Sequence, residues 1–233
     1  MAVWQQLLNN DIALVPVGGV DSINDLHALR TIGAIRTYAH IDGPLNGNAW
    51  LEGVAKGQTF FTTGPLLSLE VDGKLPGSNL RLPPGGGSVL VEASLNSVVP
   101  VSKLVLYHRR GTLRSIAVSS DGKSAHFRER IQIEESDWIS LAAEGPRDPL
   151  FEPAFALAGT NAVRVYVGNE KIRDRASAEY FLRWIDKLRV EVEQWPWWSS
   201  AAEEKHVLTQ FDEARQVYRR LIKEAAETDK SER

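Results

Sequence analysis

Residues 67–93, LSLEVDGKLPGSNLRLPPGGGSVLVEA, decide the fold class. In 67–71 every second residue is apolar, which is the period of a strand with one buried face. Asp72-Gly73 and the run 83–87, PPGGG, are turn signals on either side of the next segment. Residues 89–93 are again rich in β-formers. The stretch therefore predicts short strands joined by tight turns.

The same pattern continues through about residue 168. Further strand-like runs lie at 103–108, 114–118, 126–133, 138–143 and 162–167. Glycine, proline and Asp-Gly signals separate them, and no helix of any length fits between them. Many short strands with frequent turns favour an antiparallel β-sandwich of immunoglobulin-like type.

The segment before Pro65 has a different pattern. It alternates helix-like pieces (3–9, 25–30 and 46–56) with strand-like pieces (12–17 and 35–41). The run 12–17 is continuously apolar, as in a strand buried on both faces. Gly57 would end the last helix. Alternation of this kind indicates α/β architecture.

The segment after residue 170 is helical. Phe181, Ile185 and Leu188 belong to one apolar stripe, which Pro196 ends. Ser200 precedes a second stripe, and Glu203 offers a capping-box partner. Two stripes joined by a short corner predict an antiparallel helical pair. Three tryptophans at the corner, Trp195, Trp197 and Trp198, could wedge the helices onto neighbouring structure or stack on a ring-shaped ligand.

We therefore expect an α+β protein in four parts. These are a partial α/β segment (1–64), a β-sandwich domain (65–170), C-terminal helices (171–226) and a disordered tail (227–233). The polar composition of the tail is the reason for expecting it to fray.

Composition excludes several classes of function. The net charge of −3 offers no basic field for nucleic acid. No apolar run approaches the ~20 residues of a membrane helix, so no membrane partner is expected. The absence of cysteine excludes thiolate chemistry and fits a cytoplasmic protein, or a secreted one if a signal precedes residue 1. There is also no G-x-S-x-G nucleophile motif.

Three segments carry a resemblance to a known family. They are LLNNDIALVPVGGVDS (7–22), GAIRTYAH (33–40) and WLEGVAKGQTFFTTGPLLSLEVDGKLPG (50–77). Their order resembles the carbaryl-hydrolase-like branch of the PHP (polymerase and histidinol phosphatase) superfamily. There, a Gly-Gly-x-Asp strand end precedes an Arg-Thr-Tyr strand and a Phe-x-Thr-x-Gly-Pro turn. A β-sandwich follows, and the helical ending DEARQVYRRL (212–221) is also similar.

The resemblance implies a PHP-barrel-like remnant within residues 1–64 and a divalent metal (zinc, manganese or iron) in the intact protein. Hydrolysis of an amide, ester or phosphoester bond by metal-activated water would follow. A closed barrel needs about eight βα units, whereas residues 1–62 hold two or three. The chain would then be the C-terminal portion of such an enzyme, inactive alone and without the paired histidines of the first motif. It could also hold no metal at all.

Three residues are candidates for the site. Asp21 matches the late aspartate that ligates metal in relatives, although it could instead cap a helix that begins near Ser22. His40 ends a strand close to Asp42, and the pair could add ligands, but no H-x-H or H-E-x-x-H spacing supports them. Arg36 could face an anionic substrate group or pair locally. His27, His108, His126 and His206 are expected to be surface or half-buried residues.

Two functions remain open from the sequence. The first is the hydrolase portion described above. The second is a non-catalytic β-sandwich module that binds a partner or serves a structural role.

Self-association through residues 1–60 is the first testable prediction. An unfinished α/β segment leaves strand edges and apolar faces uncovered, and these favour association. Light scattering coupled to gel filtration should show dimers or larger species whose population grows with concentration. A stable monomer at all concentrations would contradict this expectation.

Overall fold

The computed structural model describes residues 2–21, 32–147 and 155–231, with side chains described as far as 226. The chain divides into two compact units, Met1–Ala13 with Ile172–Arg233, and Leu14–Lys171. The fold is mixed α+β, as predicted, and the strands of the described residues form no closed barrel.

Four helices and eleven strands make up the described residues. The helices are α1 (Ala2–Leu8), α2 (Gly47–Ala55), α3 (Arg175–Glu193) and α4 (Ala201–Ser231). The strands are β1 (Arg36–Ala39), β2 (Thr59–Thr62), β3 (Leu66–Val71), β4 (Asn79–Leu82), β5 (Gly87–Asn96), β6 (Lys103–His108), β7 (Gly111–Ile116), β8 (Ser124–Ile133), β9 (Asp137–Arg147), β10 (Phe155–Thr160) and β11 (Val163–Val167).

The first unit contains the predicted antiparallel helical pair. Asp186 of α3 forms an ion pair with Arg215 of α4 at 2.8 Å. The rings of Phe181 and Tyr218 stack with centroids 5.1 Å apart. The later residue of α3 thus contacts the earlier residue of α4. The two helices therefore run antiparallel, as predicted. Burial between the helices raises the pKa of the Tyr218 phenol.

Polar contacts attach α1 to the start of α3. The Asp174 carboxylate accepts the Ser177 N–H at 2.7 Å and caps α3. Asn9 donates from Nδ2 to the Ser177 hydroxyl at 3.0 Å, and Arg173 donates to the Asn10 carbonyl at 3.1 Å. These bonds bring residues 2–13 into the helical unit although about 160 residues separate them in sequence.

The three tryptophans of the corner differ in exposure, and their role as a wedge or as a platform for a ring-shaped ligand stays a prediction. Trp195 and Trp197 are 55% and 78% exposed, whereas Trp198 is half-buried. The corner precedes α4, which extends to Ser231. The predicted disordered tail, 227–233, lies outside the described side chains and stays a prediction. None of the helices described is long and apolar enough to cross a bilayer.

The second unit packs two sheets around one core. The larger sheet has the order β1-β2-β10-β9-β11-β4, with β6 also paired to β9 and β7 paired to β6. The smaller sheet has the order β3-β5-β8. Both sheets contribute alternate residues to a shared hydrophobic core, including Leu69, Val91, Leu106, Leu141 and Val165. The alternation read from residues 67–71 is therefore confirmed.

One expectation about the sheet is wrong. β4 pairs with β11 in parallel register, from Asn79 opposite Arg164 to Leu82 opposite Val167, although all pairs were expected to be antiparallel. β4 leaves through the glycine-rich turn, where the Gly86 N–H donates to the Pro83 carbonyl at 3.0 Å. This short strand thus pairs with the edge of β11 and not with the strand that follows it in the chain. The sequence pattern also missed β2 and β10.

The apolar run 12–17 does not form the predicted buried strand. Residues 12–21 have no regular secondary structure, and Leu14 and Val17 are 54% and 61% exposed. Instead of a backbone ladder, the Thr37 side chain holds this segment to β1. The Gly18 N–H donates to the Thr37 hydroxyl at 2.8 Å, and that hydroxyl donates to the Gly18 carbonyl at 2.9 Å. The predicted helix at 25–30 lies outside the described residues.

The predicted helix at 46–56 is confirmed as α2. The Asn46 side chain accepts the Ala49 N–H at 2.9 Å and caps its start. The buried residue of α2 is Gly53, whereas Trp50 and Leu51 are exposed. A Cβ on Gly53 would lie 3.1 Å from the Ala39 Cβ, so α2 meets β1 through its glycine.

Truncation of Leu106 tests the shared core. Leu106 on β6 is completely buried, so Leu106→Ala removes methyl groups and leaves a cavity. We expect a loss of about 2–5 kcal/mol in the free energy of unfolding, measured by urea denaturation. Leu66→Ala, at an exposed position of β3, is the matched control and should change it far less. Equal losses would contradict this assignment of the core.

Candidate functional site

The three segments that carry the family resemblance meet in the second unit. Gly18 is hydrogen-bonded to Thr37, as described above, and Thr37 lies opposite Phe61 in the β1–β2 pair. A Cβ on Gly18 would lie 2.9 Å from Ile35 Cγ2 and 3.1 Å from Phe61 Cβ. Glycine is therefore required for the close approach of all three segments.

Strand β2, which ends the last of the three segments' paired strands, also belongs to the large sheet. β2 pairs with β10, with Thr62 opposite Ala158. The Thr62 hydroxyl donates to the Pro65 carbonyl at 2.5 Å and accepts the Gly64 N–H at 2.8 Å. The Thr-Thr-Gly-Pro segment is thus a tight turn from the large sheet into the small one. β2 and β10 pair across the predicted domain boundary at 64/65, which itself stays a prediction.

The candidate ligand His40 lies where β1 ends. Its Nε2 is 3.1 Å from Asp42 Oδ1, and both side chains are exposed, His40 by 48%. A carboxylate that orients one imidazole nitrogen is common behind a metal-binding histidine. Asp21 is exposed and adopts a positive φ of 51°, next to the undescribed residues 22–31.

The donor groups of the described residues do not fit a complete metal centre. A structural zinc site needs four protein ligands and a catalytic one about three. Asp21, His40 and Asp42 are all described, yet the described residues contain no group of three or more His, Asp or Glu side chains that could hold a metal ion. His40 with Asp42 is thus at most part of a site.

Arg36 occupies the first position of β1, opposite Thr62. Its Nε atom is buried and has no hydrogen-bond partner among the described residues. Its predicted role toward an anionic substrate stays a prediction. Among the other histidines, His126 and His206 are exposed, and His27 lies outside the described residues.

A cavity of about 240 Å³ lies beside His40. We call it the Tyr38 cavity; its walls include Tyr38, His40, Thr59, Phe60, Leu69 and Leu75. The paired strands β1 and β2 supply one wall, and β3 with the loop after it supplies the other. The sequence predicted His40 as a site residue but gave no signal for the cavity, because its walls come from four separate parts of the chain.

A second polar cluster lies where β6 ends and β9 begins. His108 Nδ1 is 2.9 Å from Asp137 Oδ2, and both side chains are mostly buried. Asp137 Oδ1 accepts the N–H groups of Arg109 and Trp138 at 2.8 and 2.7 Å. Glu135 pairs with Arg109 beside it. The sequence placed His108 as a half-buried residue but missed its partner, which is 29 residues away.

The geometry of this cluster favours a structural role. Both carboxylate oxygens of Asp137 are already engaged, so the group fixes the β6–β7 hairpin against β9. A histidine oriented by a carboxylate could act as a base, but a reacting group must lie within hydrogen-bond reach. His108 lines neither the Tyr38 cavity nor the shallow pocket beside His126.

No protein-family model matches the chain, and no curated protein matches it at a significant level.

Replacement of Asp137 tests its structural role. Asp137→Ala removes the carboxylate that accepts the N–H groups of Arg109 and Trp138 and contacts the His108 imidazole. We expect the free energy of unfolding to fall by about 3 kcal/mol in urea titrations. Asp42→Ala, at an exposed carboxylate that also contacts a histidine, should change it by less than about 0.5 kcal/mol. Similar effects of the two variants would refute the assignment.

Proposed function

We propose that the chain is the C-terminal portion of a metal-dependent hydrolase of the carbaryl-hydrolase-like branch of the PHP superfamily. Such an enzyme would hydrolyse amide, ester or phosphoester bonds, and the chain alone would be inactive. One observation carries the proposal: the motif segments around Gly18, Thr37 and Phe61, separated in sequence, form one hydrogen-bonded and closely packed group.

In this proposal the residues before Pro65 are a PHP-barrel-like remnant. The two sheets that follow are an immunoglobulin-like sandwich that supports it. The pairing of β2 with β10 makes this support direct, because the remnant shares a sheet with the sandwich. Asp21 and His40 would stand at the border of the intact active site. The remaining ligands for zinc, manganese or iron would come from elsewhere.

The donor set of the described residues supports inactivity of the chain alone. Two neighbouring side chains, His40 and Asp42, do not make a three-ligand catalytic site. Both are also exposed to water, whereas catalytic electrostatics are strongest where water is excluded. The chain's own contribution would be to position the border of the site and to shape the surface beside it.

Hydrolysis assays test the proposal. The chain should show no turnover of p-nitrophenyl acetate, a p-nitroanilide or bis-p-nitrophenyl phosphate beyond that of free Zn²⁺, Mn²⁺ or Fe²⁺. The continuous coding region that precedes residue 1 should encode paired-histidine motifs in frame. Its longer product should show metal-dependent turnover that His40→Ala lowers about tenfold or more.

His206→Ala, at an exposed histidine of α4, is the matched control and should leave turnover unchanged. A coding region without paired histidines would contradict the proposal. So would metal-dependent turnover by the chain alone, because the site would then be complete without further ligands.

A second candidate function is a non-catalytic β-sandwich module that binds a small molecule. The Tyr38 cavity favours it, because a concave, largely apolar site with few polar groups is typical of ligand binding. This role does not require a metal.

A further inference from the structure

The Tyr38 cavity extends from the surface into the core of the second unit. Tyr38, at its outer side, is 41% exposed, whereas Leu69 and Thr160, at its inner side, are almost fully buried. A molecule that entered it would exchange water for apolar contacts on several sides. Such burial of apolar area is the main favourable contribution to binding.

The walls of the cavity carry no side chain with a formal charge. They contain no Lys, Arg, Asp or Glu, and the imidazole of His40 already contacts the Asp42 carboxylate. A charged ligand would lose its hydration without gaining an opposite charge, which is strongly unfavourable. The cavity therefore selects against ions.

One polar group of the wall has no partner. Thr59 is 3% exposed, and its hydroxyl oxygen has no hydrogen-bond partner among the described residues. By contrast, the Thr160 hydroxyl accepts the Leu141 N–H at 3.0 Å. Buried polar atoms in proteins nearly always have a partner, so the exception at Thr59 is consistent with one supplied by a ligand.

The shape and size of the cavity fit a ring. Tyr38 and Phe60 stack in parallel with centroids 4.9 Å apart and present aromatic surface to it. An apolar cavity of about 150 Å³ is enough for benzene. The Tyr38 cavity, at about 240 Å³, has room for a ring with a small substituent.

We infer that the Tyr38 cavity binds a small neutral molecule with an apolar ring and one hydrogen-bonding group, which the Thr59 hydroxyl recognises. This inference goes beyond the proposed hydrolase role and needs no metal. If the chain is a binding module, this is the class of ligand that it would bind.

Binding of matched probes tests the inference. Benzamide, benzoate and benzylammonium are similar in size and differ in charge, and toluene lacks the hydrogen-bonding group. Affinities are measured by chemical-shift titration of the whole chain with EDTA present, so failure here is independent of any metal-dependent activity. We expect saturable binding of benzamide with shifts at residues around the cavity, and at least tenfold weaker binding of both ions.

Two variants assign the contact. Thr59→Val keeps the shape of the side chain and removes a hydroxyl that has no partner among the described residues, so the fold should be retained. It should weaken benzamide binding about two- to tenfold and leave toluene binding unchanged. Leu75→Trp should fill the cavity and abolish both, whereas Leu45→Trp, at an exposed loop position away from the cavity, should abolish neither.

Thermal unfolding of each variant shows that it is folded before its binding is compared. Equal affinity for benzamide and its charged analogues would overturn the inference. Undiminished binding to folded Leu75→Trp, or no benzamide binding to the unaltered chain, would overturn it as well.

Discussion

The pairing of β2 with β10 is the constraint on which the arrangement of the second unit depends. Through it the antiparallel pair β1–β2 becomes part of the large sheet rather than a separate layer. The Asn161 N–H extends the contact by donating to the Thr59 carbonyl at 3.0 Å. Because β3 follows β2 after one tight turn, the same pairing sets the distance between the β1–β2 pair and the small sheet. The Tyr38 cavity is the space left between them.

The two proposals use different sides of this region. A hydrolase role concerns the exposed border, where His40 and Asp42 could join ligands from beyond the described residues. A ligand-binding role concerns the interior, where Thr59 and the stacked rings of Tyr38 and Phe60 form the walls. His40 belongs to both. If a metal site completes beside the cavity, binding of a neutral ring would position a substrate. Without such a metal site, the same binding would make the chain a binding module.

Local signals in the sequence predicted local structure well. The Asn46 cap and the alternation in 67–71 concern neighbours within a few residues, and both are found as expected. The prediction of a buried strand at 12–17 was wrong. An apolar composition shows that a segment could be buried, but not that strands exist on each side to pair with it. The sequence did not predict β4, because four residues between turn signals are too short to be recognised as a strand. They form one because the edge of β11 pairs with them.

By itself the sequence determined the α+β class, the antiparallel helical pair and most strands of the two sheets. These follow from periodicity, capping and turn chemistry, which act between residues close in the chain. Only the tertiary structure decided the parallel β4–β11 pair, the contact of Asp137 with His108 and the walls of the Tyr38 cavity. Each of these brings together groups from distant parts of the chain, and their proximity depends on how the sheets pack.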